Sequence, residues 1–146
     1  MSKKNSNVQN LKSTLINNKK IFKIFSSFKS KLEKSIGKKS FAVAVSGGPD
    51  SLALAALSQL YKYENKNKIF FLLIDHGIRK KSESEAKSVK RLLKKNKISL
   101  KILTNKEKIH KGIQNSARKI RYKLLTDFCH EKKCRFLLTG HHSDDQ

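Results

Sequence analysis

FAVAVSGGPDSLALAAL, residues 41–57, joins two apolar runs through a tight turn. Phe41-Ala42-Val43-Ala44-Val45 is short and continuously apolar, the pattern of a strand buried on both faces. The run after the turn opens a helix expected from Asp50 to about Tyr63. Between them, Ser46–Ser51 (SGGPDS) holds two of the chain's 6 Gly and its 1 Pro. A strand that feeds a turn opening a helix is a common place to hold phosphates.

The residue types in the turn suit that task. Gly47 and Gly48 remove side chains where backbone must approach a ligand, and they permit positive φ. Pro49 fits the first helical turn, where its missing N–H costs nothing. Ser46 and Ser51 offer hydroxyls, and the unbonded N–H groups of a helix start face any anion placed there. Asp50 breaks the pattern, because a carboxylate repels phosphate unless a divalent cation lies between them. Mg²⁺ held at Asp50 is therefore implied. The turn is no Walker A loop, since that spacing and its terminal Gly-Lys-Ser/Thr are absent.

Working outward, Ile69–Ile74 and Ile98–Leu103 read as further strands, and Arg135–Thr139 as a fourth. Helices are expected over Ser82 to Asn96, with Ser82-Glu83-Ser84-Glu85 supplying capping groups, and over about Gln114 to Lys132. This alternation predicts an α/β fold, an open parallel sheet with helices on both faces. Ligands then bind beyond the carboxyl ends of the strands. Ser46–Ser51, Asp75-His76-Gly77 and Gly140–Gln146 should share that edge.

Before the first strand, Ile21, Phe22, Ile24, Phe25, Phe28, Leu32 and Ile36 recur at helical spacing. They predict an amphipathic basic helix over residues 19–37, closed by Gly37. Its plainer reading is packing on the domain with lysines in solvent, and its sharper one is a basic face for RNA. Residues 1–18 are polar, low in complexity and expected to form a disordered basic tail. Residues 38–146 then form the catalytic domain.

The chain has 146 residues and a formal net charge of +23, from 34 Lys+Arg against 11 Asp+Glu. Such a field attracts polyanions, nucleic acid first. Most of the excess is Lys accompanied by Asn and Ile, a mix that AT-rich codon usage also produces. No apolar run approaches the ~20 residues needed to cross a bilayer, so no membrane role is expected. No signal peptide is evident either, and a cytoplasmic protein is the default. Cys129 and Cys134 match no zinc or redox spacing and read as buried thiols.

Three clusters remain. Arg118 and Arg121 are i and i+3 on one helix, so both can face one ligand, or both are surface charge beside Lys119 and Lys123. Asp75 and His76 either border a nucleotide or serve the turn. His141, His142, Asp144 and Asp145 could be a metal site, although adjacent histidines point in different directions. His110 and His130 carry no motif.

Taken together, these residues resemble known sequences. SGGPDS after a strand is similar to the pyrophosphate-binding loop of the N-type ATP pyrophosphatases, which cleave ATP between its α- and β-phosphates. LLIDHGIRKKSESEA (72–86), GIQNSARKIRYKLL (112–125) and LLTGHHSDDQ (137–146) narrow the resemblance to the tRNA(Ile)-lysidine synthase family. The likeness spans roughly residues 40 to 146. The 2-thiocytidine thiolases are the nearest rival, but their paired Cys-x-x-Cys motifs are missing here. A basic RNA-binding module without catalysis is the third reading.

The resemblance implies a Rossmann-like fold of the adenine nucleotide alpha hydrolase type. It implies ATP, Mg²⁺, L-lysine and an isoleucine tRNA with a CAU anticodon, and it allows a homodimer. Lysine would be ligated to C2 of the wobble cytidine through an adenylated intermediate, with release of AMP and pyrophosphate. The nucleotide would lie against Ser46, Gly47, Gly48, Pro49, Asp50 and Ser51, and against Asp75, His76, Arg118, Arg121, Gly140 and His141. Catalysis would rest on Asp50, on Arg118 near the α-phosphate, and on Asp144 and Asp145 holding the lysine amine. In the family an Ala-Glu-Thr follows this turn, so the chain is expected to cover only the N-terminal part of such an enzyme. Weak ATP binding and little turnover are expected of it alone.

Overall fold

A computed structural model of the chain describes residues 12–14, 17–77, 81–105 and 113–140. Helix α1 spans Lys19–Ser35 and is followed by β1 Phe41–Ala44, α2 Pro49–Glu64, β2 Ile69–Asp75 and α3 Ser82–Lys95. Strand β3 Leu100–Thr104, α4 Ile113–Glu131 and β4 Phe136–Thr139 complete it. The strands form one sheet in the order β3-β2-β1-β4, and every pairing is parallel.

Registered residues on neighbouring strands share a sheet face, which shows where the helices lie. Phe41 pairs with Ile69, and its ring lies 6.2 Å from Tyr61 of α2. The adjacent pair Ala42–Phe70 points the other way, and Phe70 meets Phe128 of α4 edge-on at 5.4 Å. Helices therefore cover both faces, as the alternating sequence pattern predicts. Phe41, Ala42 and Val43 are fully buried because β1 has a strand on each side and a helix layer above and below.

Both α3 and α4 end in the same hydrogen-bonded turn. Lys97 and Lys133 take positive φ, while Ile98 N–H and Cys134 N–H bond back to the carbonyls of Leu93 and Cys129. These bonds, with buried pairs Leu93/Ile98 and Cys129/Cys134, mark Schellman caps. Ile98 is thus a helix stop, which is why β3 begins at Leu100 rather than Ile98. Gly37, at φ +60, closes α1 as expected, with its N–H on the Leu32 carbonyl.

Within the N-terminal stretch, Lys12–Thr14 is helical, and Lys12 Nζ lies 5.4 Å over the Tyr63 ring. Two local expectations are corrected. Phe22 and Ile24 do not join the buried stripe of α1: they are 53% and 57% exposed, while Phe25 and Leu32 face the core. The N-cap of α3 is Lys81, without a side-chain cap. Ser84 Oγ instead donates to the Lys81 carbonyl at 2.8 Å, and Ser82 lines a cavity.

Candidate nucleotide site

The turn between β1 and α2 is organised around one hydroxyl. Ser51 is buried, and its Oγ accepts from the N–H groups of Ser46 (3.1 Å) and Gly47 (3.2 Å). It donates in turn to the Gly48 carbonyl at 2.9 Å. Ser51 thus spends its hydroxyl on the shape of the loop. Ser46 Oγ lies 3.1 Å from Ser51 Oγ, and the Ser46 residue itself is exposed.

The two glycines play different parts. Gly47 has φ +92, and a Cβ there would lie 2.8 Å from Val89 Cγ2 on α3. Gly48 is an extended N-cap with φ −73 and ordinary space around it, so the expectation of positive φ holds at Gly47 alone. Pro49 opens α2, and Asp50 stands exposed in its first turn.

A third glycine brings the last strand to this turn. A Cβ on Gly140 would fall 2.9 Å from the Ser51 nitrogen and 3.0 Å from the Asp50 carbonyl carbon. Only a residue without a side chain lets the end of β4 lie on the first turn of α2. Asp75 closes β2 with its carboxylate turned back on the chain: Oδ1 accepts from Gly77 N–H at 3.0 Å. The side chain of Asp75 thus serves the turn, and the residue also borders the cavity at the strand ends.

Beyond these strand ends lies a cavity of about 250 Å³, near the lower end of the ~300–1,000 Å³ typical of small-molecule pockets. Ser46, Ser51, Asp75, His76, Thr139 and Gly140 border it. Arg121 and Tyr122 reach it from α4, and Ser82, Glu85 and Val89 from α3. His76 Nδ1 is buried with no hydrogen-bond partner. Burial chiefly, and then the positive charge of Arg121, hold the His76 imidazole below its ordinary pKa, against a smaller opposing pull from Asp75. The imidazole is therefore neutral at pH 7, beside a cation.

The arginines take unequal places. Arg121 lines the cavity, whereas Arg118 is exposed, one turn nearer the start of α4, with its guanidinium 6.0 Å over the Tyr122 ring. The α3 contribution was invisible in sequence, where Ser82 and Glu85 carry an ordinary capping signature. His141, His142, Asp144 and Asp145 lie outside the described residues.

For Mg²⁺, the donor set fits a shared site. Asp50 offers one exposed carboxylate at the loop, and Mg²⁺ commonly takes one or two carboxylates plus substrate phosphates. No group of three or more His, Cys, Asp or Glu side chains among the described residues could hold a metal by itself. Cys129 and Cys134 are buried beneath β4, at the end of that strand opposite Gly140.

Comparison with known proteins places this geometry. The family model of the PP-loop domain matches residues 17–146. The tRNA(Ile)-lysidine synthase of Orientia tsutsugamushi is 45% identical over 108 residues, covering 71% of this chain and 24% of the relative. That of Wolbachia pipientis wMel is 41% identical over 108 residues, covering 72% and 25%. The chain thus spans about a quarter of the length of these curated relatives. Among solved structures, the U34-tRNA thiolase NcsA of Methanococcus maripaludis, with its 4Fe-4S cluster, is similar at a TM-score of 0.68. Identity there is 26%, over 84% of this chain and 48% of that one.

Proposed function

The chain belongs to the PP-loop domain family, and on that premise we propose that it carries the ATP-cleaving part of a tRNA-modifying ligase that makes lysidine. The observation that carries the reading is the convergence of Ser46 and Ser51, the two ends of the loop, with His76, Arg121 and Gly140 on one cavity at the strand ends. The name of the tRNA(Ile)-lysidine synthase relatives supports an isoleucine tRNA and a lysidine product; the substrates proposed with it are ATP, L-lysine and that tRNA with a CAU anticodon.

In this reading the C2 carbonyl oxygen of the wobble cytidine attacks the α-phosphorus, and the bond to pyrophosphate breaks. The lysine ε-amine then attacks C2, and AMP leaves with the oxygen it activated. Adenylation is needed because a cytosine C2 carbonyl has no good leaving group. The N-terminus of α2 would receive the pyrophosphate, with its helix dipole directed at the anion, while Ser51 Oγ holds the loop amides of Ser46 and Gly47 in place. Arg121, from the cavity wall, would stabilise charge on the phosphates as it develops. Asp50 would hold Mg²⁺ jointly with the phosphates; when bound, the ion neutralises charge on the departing group. Neutral His76 offers the base or ribose a hydrogen-bonding ring without adding charge. Asp144 and Asp145 remain the proposed partners of the lysine amine.

The thiolase alternative has the NcsA likeness in its favour. Against it, the chain's two cysteines lie at the far end of β4 from the cavity. Two measurements test the proposal: ATP binding by equilibrium dialysis, and AMP release in the presence of CAU-anticodon tRNA. No ATP binding would remove the nucleotide reading, and AMP release that requires a sulfur donor instead of L-lysine would replace ligase by thiolase.

A further inference from the structure

Helix α1 carries six Lys and one Glu in 17 residues, and the lysines are not spread evenly around it. Lys19, Lys20, Lys23, Lys31 and Lys34 are exposed and fall on the side opposite Phe25 and Leu32. Ser26, Ser27 and Ser30, also exposed, fill the same side. Lys29 stands apart: it is turned to α2, where its Nζ bonds Glu64 at 2.6 Å. The result is a face about 25 Å long, with five cations, three hydroxyls and one carboxylate, Glu33, at its Phe22 edge beside Ser26. Phe22 and Ile24 edge it on either side, both more than half exposed.

We infer that this outward face of α1 docks the phosphate backbone of RNA, apart from the nucleotide cavity. Charge complementarity selects the occupant: a row of lysines at helical spacing matches a polyanion, and the serine hydroxyls can donate to phosphate oxygens between them. Phe22 offers a ring on which an unpaired base can stack. An anionic bilayer is the poorer fit. A helix lying on a membrane must turn its apolar stripe to the lipid, and here Phe25 and Leu32 are committed to the core. The inference deepens the proposed function and rests on it for the choice of RNA.

The test uses the 146-residue chain and a fluorescein-labelled CAU anticodon stem-loop, read by anisotropy over a salt series. Lys20→Gln, Lys23→Gln, Lys31→Gln and Lys34→Gln together should weaken binding about tenfold or more at 0.1 M salt and lower the salt slope by about 3. Ser27→Glu with Ser30→Glu, which keeps every lysine, should also weaken it. A control with Lys62, Lys66, Lys90 and Lys94 changed to Gln removes the same charge from α2, α3 and the loop after α2. Equal loss in the control would reduce the effect to net charge and overturn the inference. So would unchanged affinity in the α1 variants, or binding to phosphatidylserine vesicles in place of RNA. ATP binding is measured in parallel. RNA binding that depends on α1 without ATP binding leaves this surface standing and removes the proposed enzyme instead.

Discussion

Gly140 and Ser51 touch backbone to backbone: a Cβ on the first would meet the nitrogen of the second at 2.9 Å. That contact, beyond the Ala44–Thr139 pairing of β1 and β4, sets the end of β4 on the first turn of α2. Gly140→Ala should therefore lower stability by about 1–3 kcal/mol, measured by urea unfolding. ATP affinity should fall with it, because the end of β4 must retreat from the start of α2.

Ser51→Ala removes the acceptor shared by the Ser46 and Gly47 amides. Leaving such groups unsatisfied costs about 1–3 kcal/mol. Hydrogen exchange should locate the damage, with the amides of residues 46 and 47 accelerating while those of β2 keep their protection.

Arg121 and Arg118 should separate in ATP binding. Loss of a charge-assisted contact costs about 1.5–3 kcal/mol, or roughly ten- to hundredfold in affinity. Arg121→Gln should show it in equilibrium dialysis, and Arg118→Gln should not.

His76 gives the site a pH dependence of known sign. Its folded pKa lies below the ordinary 6.5, so the unfolded chain takes up the proton first as pH falls. Its contribution to stability is present above about pH 6.5 and is lost below that, through the folded pKa. An NMR titration of the imidazole should show the depressed value. Arg121→Gln should raise it only part of the way, because burial is the larger cause.

Cys129 should be inert in the folded protein. Burial and the adjacent Cys134 push its thiol up to about 11, so little thiolate exists at pH 8. Iodoacetamide should label it slowly until urea unfolds the chain, and mass spectrometry of the peptide reads the difference.

The sheet and its loop were legible in sequence because their signals are local. A continuous apolar run, a Gly-Gly-Pro turn and a helix start are all contained within residues 41–57. What failed to show depends on which way a surface turns. Ile98 has the look of a strand residue, but the backbone of Lys97 makes it the closing contact of α3. Phe22 and Ile24 sit at helical spacing with the core residues, yet they flank the stripe where α1 meets α2. Ser82 and Glu85 carry a helix-start pattern, and only the packing of α3 over β2 and β3 brings them to the cavity. The two arginines share a motif, and one helical turn along α4 decides which reaches the wall.

The strand order β3-β2-β1-β4 also sets a timetable for assembly. Strands β2 and β3 pair across one short helical crossover, whereas β1 waits for β4, whose sequence lies beyond three helices and two strands. Closing that long loop costs the most chain entropy, and distant pairings are the slow ones. The cavity needs Gly140 against Ser51, so it is completed last as the chain folds. Nucleotide bound there would clamp the loop after β1 to the end of β4, and ligand and late-folding contact would stabilise each other.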